Sequence, residues 1–354
     1  MADAAPNILV IRRRYLGDIV LLGSVLRNLR LHWPDSRLTV LTEPAYADIL
    51  ALNPDVTGAL TFPRGATSWP GFIRRLRRER FTHVLDFDNT DRTALVTRLT
   101  GAAVRVTFDR ETNPFRHRWA YTGHAPITNA FYTSQHITET YLSLLAPVGV
   151  PVATREVRLV PRPSDLAAVQ PLVGLPKAEI RNTKFRRVLV HPGSRSAFRL
   201  WPAERFAAVC DRLQDELGAQ VFIVSGPGEA ALVKEIRAHA KIHVVALEQR
   251  LTVGHFASLL TQFDLLLCHD SGPMHIAAAV GTPVVALFGS QNAAIWHPLG
   301  ERHTVLQTPL PCDCLGADAP TPCVKTDSYR SYCVRKLDAD RVFAALRDRL
   351  GLRP

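Results

Sequence analysis

Short apolar runs alternate with longer stretches of helical periodicity along most of this chain. Asn7-Ile8-Leu9-Val10-Ile11 is such a run and predicts a buried strand. Ile19 to Trp33 carries apolar positions at helical spacing and stops before Pro34-Asp35, which predicts one helix. Arg37-Leu38-Thr39-Val40-Leu41 and His83-Val84-Leu85-Asp86-Phe87-Asp88 read as the next strands, the second ending in acids and Asn89. Strand–helix alternation at this spacing implies parallel βαβ units.

The chain then turns proline-rich, with Pro147, Pro151, Pro161, Pro163, Pro171 and Pro176, and a second alternation follows. Arg187 to His191, Gln220 to Val224, Leu265 to Cys268 and Pro283 to Phe288 predict strands. Ala203 to Leu217 predicts a helix, and Asp338 to Leu350 an amphipathic one with Val342, Phe343, Leu346 and Leu350 on one face. The expected architecture is α/β: two Rossmann-like domains with parallel sheets facing a central cleft. The boundaries are 1–176 and 177–354, with the last helix a candidate to pack back on the N-terminal domain. At 354 residues the chain is long for one core, which agrees with two domains. Ligands of such sheets sit beyond the carboxyl ends of the strands.

Composition narrows the class. No apolar run reaches the roughly 18–20 residues of a membrane span. The start, Met1-Ala2-Asp3-Ala4-Ala5-Pro6, has no apolar core and does not read as a secretory signal, so a cytoplasmic location is expected. The net charge of +11 is spread over both halves. It is densest at Arg74-Arg75-Leu76-Arg77-Arg78-Glu79-Arg80, which suits an anionic partner or a solvated helix face equally. No nucleic-acid-binding motif accompanies it. Cys210 and Cys268 sit in apolar contexts and read as buried and inert. Cys312, Cys314, Cys323 and Cys333 share a loop-like stretch whose spacings fit zinc poorly.

The loops after the strands carry the candidate chemistry. Leu265-Leu266-Leu267-Cys268 breaks at His269-Asp270-Ser271-Gly272-Pro273 and restarts as an Ala-rich helix. Such a strand–turn–helix aims unpaired backbone N–H groups at one point and favours an anion, a diphosphate among them. Leu16-Gly17-Asp18 follows the first strand; Asp18 is either a helix cap or a general base. His191-Pro192-Gly193-Ser194, with Arg195 and Arg199, can hold phosphate oxygens. Gly226-Pro227-Gly228-Glu229 lets backbone approach a ligand and offers a carboxylate to ribose, although it is not a dinucleotide fingerprint. Asp270-Ser271 lacks the nucleophile elbow of a hydrolase. His269 and His275 have no further residues to complete a metal site, and no metal is expected.

In this order these blocks resemble glycosyltransferase family 9, the ADP-heptose:lipopolysaccharide heptosyltransferases. The most specific block runs from Asp270-Ser271-Gly272-Pro273-Met274-His275 to Gly281-Thr282-Pro283-Val284-Val285-Ala286-Leu287-Phe288-Gly289. The resemblance implies a GT-B fold and an inverting, metal-independent transfer with Asp18 as base. It implies no cofactor, an ADP-sugar as donor substrate and an anionic glycolipid as acceptor, with peripheral contact at the inner membrane and no nucleic acid. Donor contacts would come from Ser194, Arg199, Glu229, Asp270, Ser271, Gly272, Met274 and His275, with backbone N–H groups of Ser271, Gly272 and Met274 facing the diphosphate. Adenine would lie near the loop from Leu247 to Val253. Arg14, Tyr15 and Gly17 would face the acceptor. The basic run Arg12-Arg13-Arg14 departs from the inner-core enzymes of the family, so the acceptor is less determined than the donor. Another nucleotide sugar, a different acceptor, or a non-catalytic nucleotide-binding protein are the competing readings.

Overall fold

In a computed structural model of the chain, residues 5–112, 117–174, 186–195, 199–289, 291–307 and 334–351 are described. The chain divides into two compact units, 1–160 and 161–354.

The first unit is a six-stranded parallel sheet in the order β3-β2-β1-β4-β5-β6. Its strands are β1 (Asn7–Ile11), β2 (Arg37–Thr42), β3 (Gly58–Thr61), β4 (His83–Asp86), β5 (Val104–Arg110) and β6 (Gly123–Ile127). Around them run helices α1 (Leu16–Leu21), α2 (Gly23–His32), α3 (Trp69–Arg78), α4 (Asp91–Leu99), α5 (Asn129–Ser134) and α6 (Ile137–Leu142). Ile8 pairs with Leu38 on one side and His83 on the other, so β1 is central. Ile8, Leu9, Val10 and Ile11 have no exposed surface, as expected of a strand covered on both faces. Truncating Leu9 to alanine would cost about 2–5 kcal/mol.

The second unit repeats this plan in the order β12-β11-β10-β7-β8-β9, again all parallel. Its strands are β7 (Arg187–His191), β8 (Gln220–Val224), β9 (Val245–Leu247), β10 (Leu265–His269), β11 (Val284–Leu287) and β12 (His303–Leu306). Its helices are α7 (Pro163–Val173), α8 (Ala203–Asp215), α9 (Ala230–His239), α10 (Val253–Leu260), α11 (Gly272–Val280), α12 (Ala293–Trp296) and α13 (Ala339–Arg349). In both sheets the chain reverses direction of growth between its first and fourth strands, β1/β4 and β7/β10. Loops diverge at such a switch point and leave room for a ligand.

Several expectations change. The helix from Ile19 to Trp33 is two helices parted at Leu22. Gly23 opens α2 against Val157, which a Cβ there would meet at 3.1 Å, and the Ser24 hydroxyl bonds the Leu21 carbonyl. Close packing requires the glycine, and both residues weaken a continuous helix. The division of the chain falls at Val160/Pro161 rather than 176/177, because α7 packs on α10 in the second unit. The buried face of α13, through Val342, Phe343 and Leu346, joins the core around Trp201 and Phe206 of that unit. Among the described residues no helix is long and apolar enough to cross a membrane. Cys210 and Cys268 are fully buried, and burial pushes the Cys210 thiol up to about 12. Cys312, Cys314, Cys323 and Cys333 lie outside the described residues.

Candidate functional site

Two clusters stand at carboxyl ends of central strands, one in each unit. In the first, the chain leaves β1 through Arg12 and Arg13 and enters α1 with Tyr15 at its N-cap. Asp18 is therefore the third residue of the helix, not its cap. Its Oδ2 accepts the Tyr15 backbone N–H at 2.9 Å, which satisfies one otherwise unpaired donor of the helix start. Its Oδ1 accepts from Arg12 Nη2 and from the Tyr141 hydroxyl of α6, each at 2.5 Å. Asp18 is 7% exposed. Burial, and the negative charge of Asp18 beside it, hold the Tyr141 phenol well above its ordinary range, with Arg12 opposing. Tyr141 is thus a hydrogen-bond donor at any working pH. Arg14 and Tyr15 are exposed beside this group, the guanidinium stacked 5.4 Å from the ring centre. Gly17 is half-buried within α1.

At the end of β4 the buried Asp86 carboxylate accepts the N–H groups of Asp88 and Asn89 and the Tyr121 hydroxyl. This ends the strand two residues earlier than the sequence suggests and turns Asp88 toward Arg12, whose Nη1 lies 3.1 Å from Asp88 Oδ1.

In the second unit β10 ends at His269, and α11 starts with Ser271 at its N-cap and Pro273 in its first turn. The backbone N–H groups of Ser271 and Gly272 have no bond among the described residues. That of Met274 does, to the Ser271 carbonyl at 3.1 Å, and the Met274 side chain is fully buried. The Met274 N–H thus closes the first turn of α11, while those of Ser271 and Gly272 point beyond it without a bond among the described residues. Arg199 Nη1 reaches Asp270 Oδ2 at 3.2 Å, while its buried Nε has no partner among the described residues. Burial pushes Asp270 up to about 6 against the pull of Arg199. His269 is buried and pushed down to about 3, so it is neutral; its Nε2 accepts the backbone N–H of Trp201 at 2.9 Å. That bond ties the loop carrying Arg199 to the end of β10. Ser194 is half-buried after β7, and His275 is buried in the first turns of α11.

Glu229 folds back on its own loop. Its carboxylate accepts the Gly226 N–H at 2.6 Å, lies 3.7 Å from His191 Nε2, and fills the space a side chain at Gly193 would need. Beside it is a cavity of about 440 Å³. Its walls are Val224, Ser225 and Gly226 after β8, the loop from Glu248 to Leu251, Phe256 of α10 and Pro273 of α11. Such a volume suits a nucleoside. Among the described residues no three His, Cys, Asp or Glu side chains are placed to hold a metal ion.

The sequence pattern of glycosyltransferase family 9 (heptosyltransferase) matches residues 69–323. This chain belongs to that family. It is a glycosyltransferase, and its two sheets are those of the GT-B fold. Among relatives of the family, Lipopolysaccharide heptosyltransferase 3 of Escherichia coli is 26% identical over 301 residues, covering 80% of this chain and 84% of the relative. A family 9 glycosyl transferase from Veillonella parvula superposes with a TM-score of 0.82 at 21% identity, over 99% of this chain and 98% of the other. The E. coli ADP-heptose lps heptosyltransferase II does so with a TM-score of 0.75 at 19% identity, over 97% and 98%.

The family 9 reading noted Arg12 only as part of a basic run on the acceptor side, and did not single out Asp88 or Tyr141. Arg12 and Asp88 each follow a central strand, which is a visible signal. Tyr141 lies far from Asp18 in sequence and carries none.

Proposed function

We propose that this chain is an inverting heptosyltransferase that moves heptose from ADP-heptose to the core of lipopolysaccharide, without a metal. The observation that carries the reading is the held carboxylate of Asp18. With Oδ1 engaged by Arg12 and Tyr141, the remaining acceptor capacity is on Oδ2. The acceptor hydroxyl gives its proton to Asp18 as its oxygen bonds to the anomeric carbon. The bond from that carbon to the diphosphate breaks, and its electron pair leaves with ADP. Negative charge growing on the diphosphate meets the N–H groups of Ser271 and Gly272, the start of α11, and Arg199 with its unmet Nε. Nucleoside binds in the cavity beside Glu229, which reorients toward the ribose. Support for the donor and acceptor comes from the names of the relatives, an ADP-heptose enzyme and a lipopolysaccharide enzyme.

The acceptor is anionic, and the exposed arginines of α3, Arg74, Arg75, Arg77 and Arg78, hold the enzyme peripherally on the cytoplasmic face of the inner membrane. Calorimetry of ADP, UDP and GDP with and without EDTA, followed by turnover with ADP-heptose, tests the reading. Selective ADP binding that survives EDTA, with turnover, is expected. Preference for UDP or GDP would discard the heptose donor.

A further inference from the structure

One guanidinium serves two carboxylates at the end of the first sheet. Arg12 donates through Nη2 to Asp18 and through Nη1 to Asp88 Oδ1, and Nη1 also reaches the Phe87 carbonyl at 3.0 Å. Asp88 Oδ2 takes the backbone N–H of Arg13 at 2.6 Å. Both ion pairs leave the same rigid planar fork, so the position of one carboxylate constrains the other. The turn that presents Asp88 is itself pinned by Asp86, which is wholly buried and bonded to Tyr121. A half-buried carboxylate on such a mount, one guanidinium away from Asp18, is more than a surface charge.

We propose that Asp88 is a positioning residue for the transfer reaction: it orients Arg12 and sets how strongly Arg12 draws on the Asp18 carboxylate. This rests on the reading of Asp18 as the base. When Asp88 is ionised, the charge of Arg12 is shared between two anions. When Asp88 is neutral, Asp18 alone faces the guanidinium and accepts a proton less readily.

The groups that bear on Asp88 come from several elements. Arg12 and Arg13 face it from the end of β1, and Asp86 lies beside it after β4. Asp18 of α1 and Tyr141 of α6 act through Arg12. Glu43 after β2 pairs with Arg13 and with Arg92 of α4. Burial pushes Asp88 up, with Arg12 opposing and Asp86 adding to the rise, to about 6. It therefore changes charge within the range of an ordinary activity assay.

The test is the pH profile of kcat, with ADP-heptose and purified lipopolysaccharide core as substrates, for the wild type, Asp88→Asn, Asp88→Glu and Asp18→Asn. ADP binding and thermal melting confirm that each variant is folded. The expected result for Asp88→Asn is a drop in kcat of about ten- to a hundredfold above pH 7 with KM for the donor unchanged. Its fall in rate around pH 6 should vanish, whereas Asp88→Glu, which keeps the charge, should retain one. A residue of purely structural importance would lower activity without removing that limb. Asp270 also lies near 6, so the same profiles are taken in an Asp270→Asn background, where its titration is absent. A limb that persists in Asp88→Asn, or a kcat within twofold of wild type, overturns the proposal. Should Asp88→Asn not fold, Arg12→Lys keeps the charge and loses the fork. A wild-type profile there overturns the proposal equally. If Asp18→Asn turns over normally, the reading of the base fails instead, which separates the two ideas.

Discussion

Gly193→Ala probes how the loop that carries Glu229 is assembled. A Cβ at this position would lie 1.9 Å from both Cδ and Oε2 of Glu229 and 2.0 Å from Oε1. Real Cβ contacts stay beyond 3.0 Å, so the carboxylate must move by about 1 Å or more. The backbone at Gly193 is not in the left-handed region, so alanine strains nothing else. The displaced carboxylate gives up the Gly226 N–H and its approach to His191. A hydrogen bond to a charged group contributes about 1.5–3 kcal/mol. Hydration of the freed Glu229 offsets part of this, leaving an expected stability loss of about 1–2 kcal/mol. For a unit of this size that lowers its melting temperature by about 2–8 °C. If Glu229 also meets the ribose, ADP binds about ten- to a hundredfold more weakly. Calorimetric melting and ADP titration of Gly193→Ala, Glu229→Ala and the double variant form a cycle. With Glu229 shortened there is nothing to collide with, so Gly193→Ala should add nothing in that background. An equal cost in both backgrounds, or none in the wild type, would refute the reasoning.

Asp18→Asn should lower kcat by about 10²–10⁴-fold while ADP affinity stays within twofold; calorimetry beside single-turnover rates checks both, and retained turnover removes Asp18 as base. Asp270→Asn should raise the melting temperature of the second unit in a pH-dependent way. The folded carboxylate is raised to about 6 from an unfolded value of 3.8, so its penalty is absent below 3.8 and in full force above 6. The gain over wild type should therefore be nil at pH 3.5, grow from pH 4 to 6 and level at about 3 kcal/mol; a gain independent of pH would contradict this. Replacing Arg74, Arg77 and Arg78 of α3 with glutamate should abolish binding to vesicles containing anionic lipid, and raising salt should weaken the wild type; co-sedimentation that ignores both counts against the membrane role.

Much of the architecture was legible because central strands bury both faces. The runs at Ile8–Ile11, Val188–Val190 and Leu265–Cys268 are apolar without interruption, as central parallel strands must be. The edge strands β3 and β9 were not legible. Gly58 to Thr61 exposes alternate residues, and Val245 to Leu247 is only three residues long, so neither makes a continuous run. The break at Leu22 depends on Val157 packing against Gly23, a contact no local pattern announces. The placement of Asp18 and Ser271 beyond central strands was legible because glycine, serine and acid follow an apolar run there. The groups around Asp18 were harder to see. Tyr141 arrives from α6, set against the edge of Phe87, and Asp88, which reaches Asp18 only through Arg12, is aimed by the turn onto Asp86 just after β4. That the first turn of α11 uses the Met274 N–H internally, leaving those of Ser271 and Gly272 without a bond among the described residues, is a distinction spacing alone does not reveal.

The seating of α13 bears on how the protein is made. Trp201 Nε1 and Arg205 both donate to the Leu337 carbonyl, and Phe343 lies under the Arg212 guanidinium. The start of α8, next to the loop with Arg199, is thus fastened to a residue more than 130 positions later in the chain. The unit around Asp18 has all its described strands by Ile127 and can fold before the segment that carries α13 has left the ribosome. The unit around Ser271 cannot complete its core until that segment emerges. The two units therefore mature at different times, and a chain cut before Ala339 should fold its first sheet and fail to stabilise its second.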